Sequence, residues 1–208
     1  MTLEPPTDRL TTPRLLLRRA TAELVRAELD ERPRLDSLLG ARVPAEWPPE
    51  IMADVVPTFL QRLEDEPALA EGWLAWYIIA CDDQGRGPTL IGNCGFKGPP
   101  GSDGVVEISY SLLPEYQKRG YAAEAVRAML AWVFGHAEVS CVVATTEVGL
   151  EPSIRLLDRL GFQYVGRGYE HGSIRFALTR PRFEAQRPSE RGVTNRRDAE
   201  TPREEEID

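Results

Sequence analysis

Apolar and polar residues follow two different spacings along the chain, and the changes between them mark the predicted elements. Apolar side chains that recur every three or four residues are typical of amphipathic helices. Short β-branched or aromatic runs that end at Gly, Pro or Asp are typical of strands. The predicted helices span residues 22–39, 51–63, 120–134 and 152–160. The predicted strands span residues 14–19, 73–81, 90–96, 105–113, 141–145, 162–166 and 174–178.

Several residues predict where these helices begin, break or end. Thr21 precedes the first helical segment as an N-cap, and Gly161 follows the last one as a C-cap. Pro33 is expected to divide the first segment into two, and Pro57 to kink the second or end it early. The resulting order is β-α-α-β-β-β-α-β-α-β-β. The strand, crossover helix and strand around residues 120–145 predict a parallel βαβ unit, so the fold class is α/β with a mixed sheet.

Composition limits the domain organisation and the kind of partner. The chain has 208 residues, of which 42% are hydrophobic and 28% charged, the balance of a globular protein. We expect one domain over residues 1–183 and a charged, disordered tail over residues 184–208, where large apolar side chains almost disappear. A net charge of −8 argues against a nucleic-acid partner and favours a cationic or amine substrate.

Localisation and metal content are predicted from what the sequence lacks. It has no apolar run near the roughly 18–20 residues that span a bilayer, and its first residues do not resemble a signal peptide. Cys81, Cys94 and Cys141 are widely separated, which favours reduced thiols in a cytoplasmic protein without a membrane partner. His136 and His171 are distant from each other, so no metal is predicted.

Chemistry is concentrated in residues 107–125, where a strand leads through Gln117-Lys118-Arg119-Gly120 into the longest helix. The first N–H groups of that helix have no helical partners, and the helix dipole adds partial positive charge there. Lys118 and Arg119 add full charges, while Gly120 lets an anion approach the backbone. This turn predicts a cradle for a pyrophosphate. The alternative is an ordinary strand-turn-helix with solvated charges.

The same segment resembles motif A of the GNAT acetyltransferases, with Gln117, Gly120 and Ala122 at its defining positions. The Leu-Gly-Phe ending at Phe162 resembles a second family signature. The resemblance implies a GNAT fold whose sheet is splayed between the fourth and fifth predicted strands, with acetyl-CoA as co-substrate. It also implies that backbone amides hold the CoA pyrophosphate, here those of Lys118, Arg119, Gly120, Tyr121, Ala122 and Ala123. The pantetheine would run alongside Tyr110, Ser111 and Leu112.

Transfer of an acetyl group to an amine requires a base and stabilisation of an oxyanion. Glu107 is the candidate base, because strand alternation places it on one face with Ser109 and Ser111. Partial burial in this strand would raise its pKa into a useful range. The alternative is a Glu107 paired structurally with a neighbouring Arg. A backbone N–H near Leu112 is the candidate oxyanion donor.

Two positions depart from the family pattern. Leu150 stands where the second signature usually has an Asn that caps the helix and helps to hold the cofactor, and Leu157 stands where some members have a Tyr general acid. Ser153 matches the family and joins the expected cofactor-binding residues. The proton for the CoA thiolate would then come from Ser153, Tyr164 or water, although a thiolate also leaves without a strong acid.

Within the family, the chain most resembles the Rim-type subgroup, which includes ribosomal-protein N-terminal acetyltransferases. The leading hypothesis is therefore acetyl transfer to a primary amine on a small molecule, peptide or protein N-terminus. Two alternatives are acetylation of an antibiotic or polyamine, and a non-catalytic acyl-CoA sensor or interaction module. We expect a monomer or a homodimer. Trp47 lies in a Pro-rich stretch of the kind that often roofs the acceptor site in this family.

Overall fold

The fold is a mixed eight-stranded sheet with helices, and the computed structural model describes it over residues 8–49, 52 and 54–186. The strands are β1 (Arg9–Thr11), β2 (Leu15–Arg19), β3 (Ala75–Ala80), β4 (Thr89–Phe96), β5 (Val105–Leu112), β6 (Cys141–Glu147), β7 (Gln163–Arg167) and β8 (Ser173–Thr179). The helices are α1 (Ala22–Asp30), α2 (Arg32–Leu39), α3 (Val56–Asp65), α4 (Tyr121–Val133), α5 (Glu151–Arg159) and α6 (Arg180–Gln186). The predicted α/β class is confirmed.

The sheet has the order β1-β2-β3-β4-β5-β6-β8-β7, and β5 and β6 are parallel neighbours, as the predicted βαβ unit requires. Their pairing runs from Val105 opposite Cys141 to Ile108 opposite Ala144. The last four residues of β5 pair with β4 alone. The predicted splay between these two strands is therefore confirmed, and it leaves one backbone edge of residues 109–112 without a strand partner.

The helix boundaries follow from a few residues whose chemistry is local. The Thr21 hydroxyl accepts the N–H of Leu24 at 3.3 Å and caps α1, as predicted. Pro33 lies in the first turn of α2, which confirms that it separates two helices. Pro57 lies in the first turn of α3, where its missing N–H is tolerated, so it starts this helix rather than kinking or ending it. The predicted start at residue 51 lies outside the described residues.

Two elements at the ends of the domain were not predicted. The three-residue β1 pairs with β2, with Arg9 opposite Arg18, and is too short to give a periodic signal. Helix α6 places residues 184–186, the beginning of the predicted tail, in a helix. Its first residue, Arg180, donates hydrogen bonds to the carbonyls of Phe134 (2.6 Å) and Val139 (3.0 Å) beyond the end of α4. The rest of the predicted tail lies outside the described residues.

An aromatic cluster packs α4 against one face of the sheet. Trp132 of α4 stacks on Phe96 at 5.7 Å and meets Trp76 edge-on at 5.6 Å between ring centroids. Trp76 is fully buried, and its indole N–H donates to the carbonyl of Gly72 at 2.9 Å. Burial of such large rings provides much of the free energy that fixes the helix on the sheet. The first turn of α4 is thereby held beside the end of β5.

Candidate active site

The turn between β5 and α4 has the backbone geometry of an anion cradle. Lys118 and Gly120 both adopt left-handed conformations, with φ of 59° and 83°, so the chain reverses sharply before α4 begins at Tyr121. In the described part of the chain no side chain caps this helix. The N–H groups of its first turn therefore remain available to a bound anion, and the helix dipole favours negative charge at this point.

One side of the cradle is braced by the turn between β1 and β2, which the sequence analysis did not connect with it. The Glu124 carboxylate of α4 accepts hydrogen bonds from the Thr12 hydroxyl (2.6 Å) and from the backbone N–H (2.9 Å) and Nε (2.7 Å) of Arg14. Arg14 also donates to the carbonyl of Arg119 at 3.0 Å, and its guanidinium lies over the Tyr121 ring. Arg14 thus adds a third cation beside Lys118 and Arg119 at the turn.

The other side of the cradle is anchored through a buried carboxylate. The Tyr116 hydroxyl donates to Asp83 at 2.8 Å, and Arg42 donates to the same oxygen at 3.2 Å. Burial and the neighbouring carboxylates raise the pKa of Tyr116, so its hydroxyl stays a donor. The guanidinium of Arg119 lies over the Tyr116 ring. This network ties the start of the turn to the β3–β4 connection and to residue 42.

The splay between β5 and β6 brings together two of the predicted site residues. The hydroxyls of Tyr110 on β5 and Ser153 on α5 share a hydrogen bond of 2.8 Å. Burial raises the pKa of Tyr110, although its bond to Ser153 partly offsets this effect. Further along the same strand, the Gln117 amide donates to the carbonyl of Leu112 at 3.1 Å. Hydrogen bonds therefore fix β5 at Tyr110 and at Leu112, within the stretch that is expected to lie alongside the pantetheine.

A cleft of about 520 Å³ opens beside the end of β5. Residues 111–115 and Gln117 line one side of it, and Glu46 and Pro49 line the other. The predicted site residues Ser111, Leu112 and Gln117 therefore share a cleft with the Pro-rich stretch that the sequence analysis singled out. Glu46 and Glu115 bring carboxylates to this cleft, and neither was predicted as a site residue.

Glu107 lies on β5 with its side chain 15% exposed, and it is paired with a cation. Its carboxylate is 2.6 Å from the ammonium group of Lys97, whose side chain is 63% exposed. The partner is a Lys rather than the Arg considered in the sequence analysis. An ionised carboxylate in this position can still accept a proton from an incoming amine, directly or through water.

The other candidates for proton transfer lie in different environments. Tyr164 is 59% exposed on β7, the edge strand beyond β6 and β8, and its ring contacts Phe176. The structure therefore does not bring Tyr164 to the Tyr110–Ser153 pair. Leu157 is fully buried in the core, whereas Leu150 is 47% exposed just before α5.

A mixed sheet that opens beside an uncapped helix N-terminus with cations around it suits a phosphorylated cofactor such as CoA. The chain belongs to the GNAT family, because the family model described as "Acetyltransferase (GNAT) domain" matches residues 14–163. It is an N-acetyltransferase, and some of the solved structures that share its fold have Rim-type names.

The relatives agree on the family and differ in what their names specify. The chain is 27% identical over 153 residues to the uncharacterized N-acetyltransferase YjdG of Bacillus subtilis, which covers 74% of this chain and 88% of that protein. It shares its fold with a ribosomal-protein-S5-alanine acetyltransferase of Vibrio fischeri (TM-score 0.56, 20% identity, 82% and 96% of the two chains). It also shares the fold with Mycobacterium smegmatis RimJ in complex with CoA-disulfide (TM-score 0.55, 16% identity, 80% and 82%).

Residues 8–49, 52 and 54–186 contain no cluster of three His, Cys, Asp or Glu side chains arranged to hold a metal ion. None of the helices in this part of the chain is long and apolar enough to cross a membrane.

Proposed function

We propose that the protein transfers the acetyl group of acetyl-CoA directly to a primary amine on a small molecule, a peptide or a protein N-terminus. The observation that carries this proposal is the uncapped N-terminus of α4, which directly follows the unpaired edge of β5. The first N–H groups of α4 would hold the pyrophosphate, with Lys118, Arg119 and Arg14 neutralising its charge. The pantetheine amides would pair with residues 110–112.

In the proposed reaction, a neutral amine attacks the thioester carbonyl carbon at the splay. The C–N bond forms as the carbonyl π electrons move onto oxygen, and a backbone N–H near Leu112 stabilises that oxyanion. Glu107 takes the proton that the nitrogen loses, directly or through a water molecule. Collapse of the intermediate expels the CoA thiolate, which leaves as such or receives a proton from Ser153. The position of Tyr164 on the edge strand argues for Ser153 over Tyr164 in this role.

Calorimetric titration with acetyl-CoA, followed by a thiol-release screen against amines and N-terminal peptides, tests this function. We expect saturable binding and release of one thiol per amine acetylated. Glu107→Gln should lower the turnover number at least tenfold while leaving the acetyl-CoA Kd unchanged, since general bases typically contribute about 10²–10⁴-fold. Full activity in this variant would exclude Glu107 as the base. Gly120→Glu should abolish binding by steric block and charge repulsion, and normal affinity would refute the cradle.

Two classes of amine acceptor are compatible with this proposal. Glu46 and Glu115 in the cleft, together with the net charge of −8, favour amines that carry additional positive charge, such as polyamines or aminated antibiotics. The structural neighbours that act on ribosomal proteins favour peptide N-termini instead. The same screen should therefore contain both classes, with matched neutral amines as the comparison.

A non-catalytic acyl-CoA sensor is the second candidate function. Leu157 has no acidic group where some family members have a Tyr, and Tyr164 lies on the edge strand, which leaves Ser153 or water as the proton source for the thiolate. Acetyl-CoA binding that depends on Gly120, without thiol release in the presence of any amine, would support the sensor. Thiol release that requires an amine would exclude it.

A further inference from the structure

A partly buried carboxyl group that takes no part in the proposed reaction lies behind the cleft. Glu28 of α1 accepts a hydrogen bond from the indole N–H of Trp47 at 2.8 Å and another from the Tyr77 hydroxyl at 2.5 Å. Burial raises the pKa of Glu28, although both hydrogen bonds and the charge of Arg32 oppose that effect. Desolvation of a carboxylate is unfavourable unless hydrogen bonds compensate for it. Trp47 and Tyr77 provide these hydrogen bonds, and the carboxylate in turn holds both side chains in place.

The first of these groups belongs to the segment that forms one wall of the cleft, residues 44–49. Trp47 is 3% exposed, so its ring fixes the middle of the segment in the core. Arg32 donates hydrogen bonds to the carbonyls of Pro44 (3.3 Å), Ala45 (3.0 Å) and Trp47. Glu28 and Arg32 therefore hold the segment through hydrogen bonds, while Glu46 and Pro49 line the cleft.

The second group belongs to the sheet, and it leads to the opposite wall of the cleft. Tyr77 on β3 is paired with Asn93 on β4, which is paired with Ser111 on β5, the first cleft-lining residue of that strand. Glu28, Trp47, Tyr77 and Asn93 also surround a cavity of about 10 Å³, large enough for one water molecule. The Asn93 amide oxygen is buried without a hydrogen-bond partner among the described residues, which such a water would supply.

We infer that Glu28 is a positioning residue for the acceptor, because it couples the segment of residues 44–49 to the strand row that ends at Ser111. It does not line the cleft itself. This inference rests on the proposed function, since it assigns the cleft to the amine acceptor. Its consequence is a separation of effects: loss of the carboxylate changes the acceptor KM and leaves acetyl-CoA binding unchanged.

The first test is Glu28→Gln, which keeps the shape of the side chain but removes its charge and one acceptor oxygen, so that Tyr77 can bond to the new amide group only by accepting. We expect the acceptor KM to rise about tenfold, the effect of one lost hydrogen bond to a charged group, with the acetyl-CoA Kd unchanged. Trp47→Phe removes the indole donor and should reproduce the increase. The double variant should raise the acceptor KM by less than the product of the two single-variant increases. The control is Glu64→Gln, which removes a carboxylate that is exposed on α3 and pairs with Arg26.

A second measurement needs no acceptor and separates this inference from the proposed function. Hydrogen–deuterium exchange should be read at Trp47, whose backbone N–H donates to the carbonyl of Pro44 at 3.1 Å, because Pro44, Pro48 and Pro49 have no amide hydrogen. Its exchange should become at least tenfold faster in Glu28→Gln and remain unchanged in Glu64→Gln. Unchanged exchange in Glu28→Gln would overturn the inference. So would an acetyl-CoA Kd that weakens in parallel with the acceptor KM, because this would indicate a general structural role. Absence of acetyl transfer in the unmodified protein would instead refute the proposed function and leave the exchange result to decide on Glu28.

Discussion

The bracing of the cradle by Glu124 gives a prediction that combines stability, pH and cofactor binding. Glu124→Gln replaces the carboxylate that accepts hydrogen bonds from the Thr12 hydroxyl, the Arg14 backbone N–H and the Arg14 Nε. The side chain of Glu124 is 16% exposed, so water does not readily replace these donors. The substitution should therefore destabilise the fold and release Arg14 from the turn.

The magnitude follows from the number and kind of hydrogen bonds lost. A hydrogen bond to a charged group contributes about 1.5–3 kcal/mol, but Gln retains one acceptor oxygen and keeps part of the network. Because the Arg14 side chain is 47% exposed, solvent screens its ion pair and lowers that contribution. We expect a loss of about 1–2 kcal/mol in the free energy of unfolding at neutral pH.

The lowered pKa of Glu124 determines how its contribution to the free energy of unfolding changes with pH. Burial raises the pKa of Glu124, but hydrogen bonds from Thr12 and Arg14 outweigh it and leave the pKa below the ordinary value of 4.5. A lowered carboxyl pKa stabilises the folded state above the ordinary value, and this contribution is lost as pH falls through the lowered one. Urea unfolding of both proteins at pH 7 and at about pH 3 should therefore show a difference that shrinks in acid.

The control and the refuting result are both available in the same experiment. Glu151→Gln removes a carboxylate that meets Arg155 at 3.4 Å with both side chains exposed, and it should cost less than about 0.5 kcal/mol. If Glu124→Gln is as mild as this control, or if its effect is the same at both pH values, the carboxylate does not brace the turn. If it holds Arg14 in place, the acetyl-CoA Kd should also rise in the variant.

Two further predictions concern the supports of the site. Gly72→Ala should lower the free energy of unfolding in urea by about 2–4 kcal/mol. Gly72 has a φ of 116°, and a Cβ there would lie 2.7 Å from the Trp132 ring. An unchanged free energy of unfolding would contradict this packing. Tyr116→Phe should lower the unfolding free energy by about 1–3 kcal/mol, since it leaves the buried Asp83 carboxylate with one donor fewer. Unchanged thermal and urea unfolding would mean that this hydroxyl does not anchor the turn.

The cofactor side of the site could be predicted because its parts are contiguous in sequence. Residues 105–134 contain the strand, the turn and the helix, and each is set by local chemistry. The strand contains several β-branched residues, Gly120 permits the left-handed turn, and the helix has a clear apolar stripe. The order of these elements also required the parallel crossover, so the splay followed from the family resemblance and the topology together.

The bracing residues could not be predicted because they meet only in the folded sheet. Thr12 and Arg14 precede Glu124 by 112 and 110 residues, and no local pattern links them. The partner of Glu107 is different, because Lys97 lies only ten residues earlier, at the end of the preceding strand. With Phe96 opposite Ile108, the next position outward places Lys97 opposite Glu107. Attention to that register would have named Lys97 in place of a neighbouring Arg.

The proposed acceptor side depends on residues that are dispersed over five parts of the chain. This explains why the sequence alone pointed only to Trp47 and Ser111, and how the acceptor side should behave. Glu28, Trp47, Tyr77, Asn93 and Ser111 come from α1, the following segment and three strands, and each has an ordinary local role. They converge with the cofactor side at Ser111, at the diverging end of β5. Substitutions behind the acceptor wall should therefore change the acceptor KM, and substitutions at the cradle should change the acetyl-CoA Kd. Only changes near Ser111 should alter both constants, because only there do the two sets of supports share a strand.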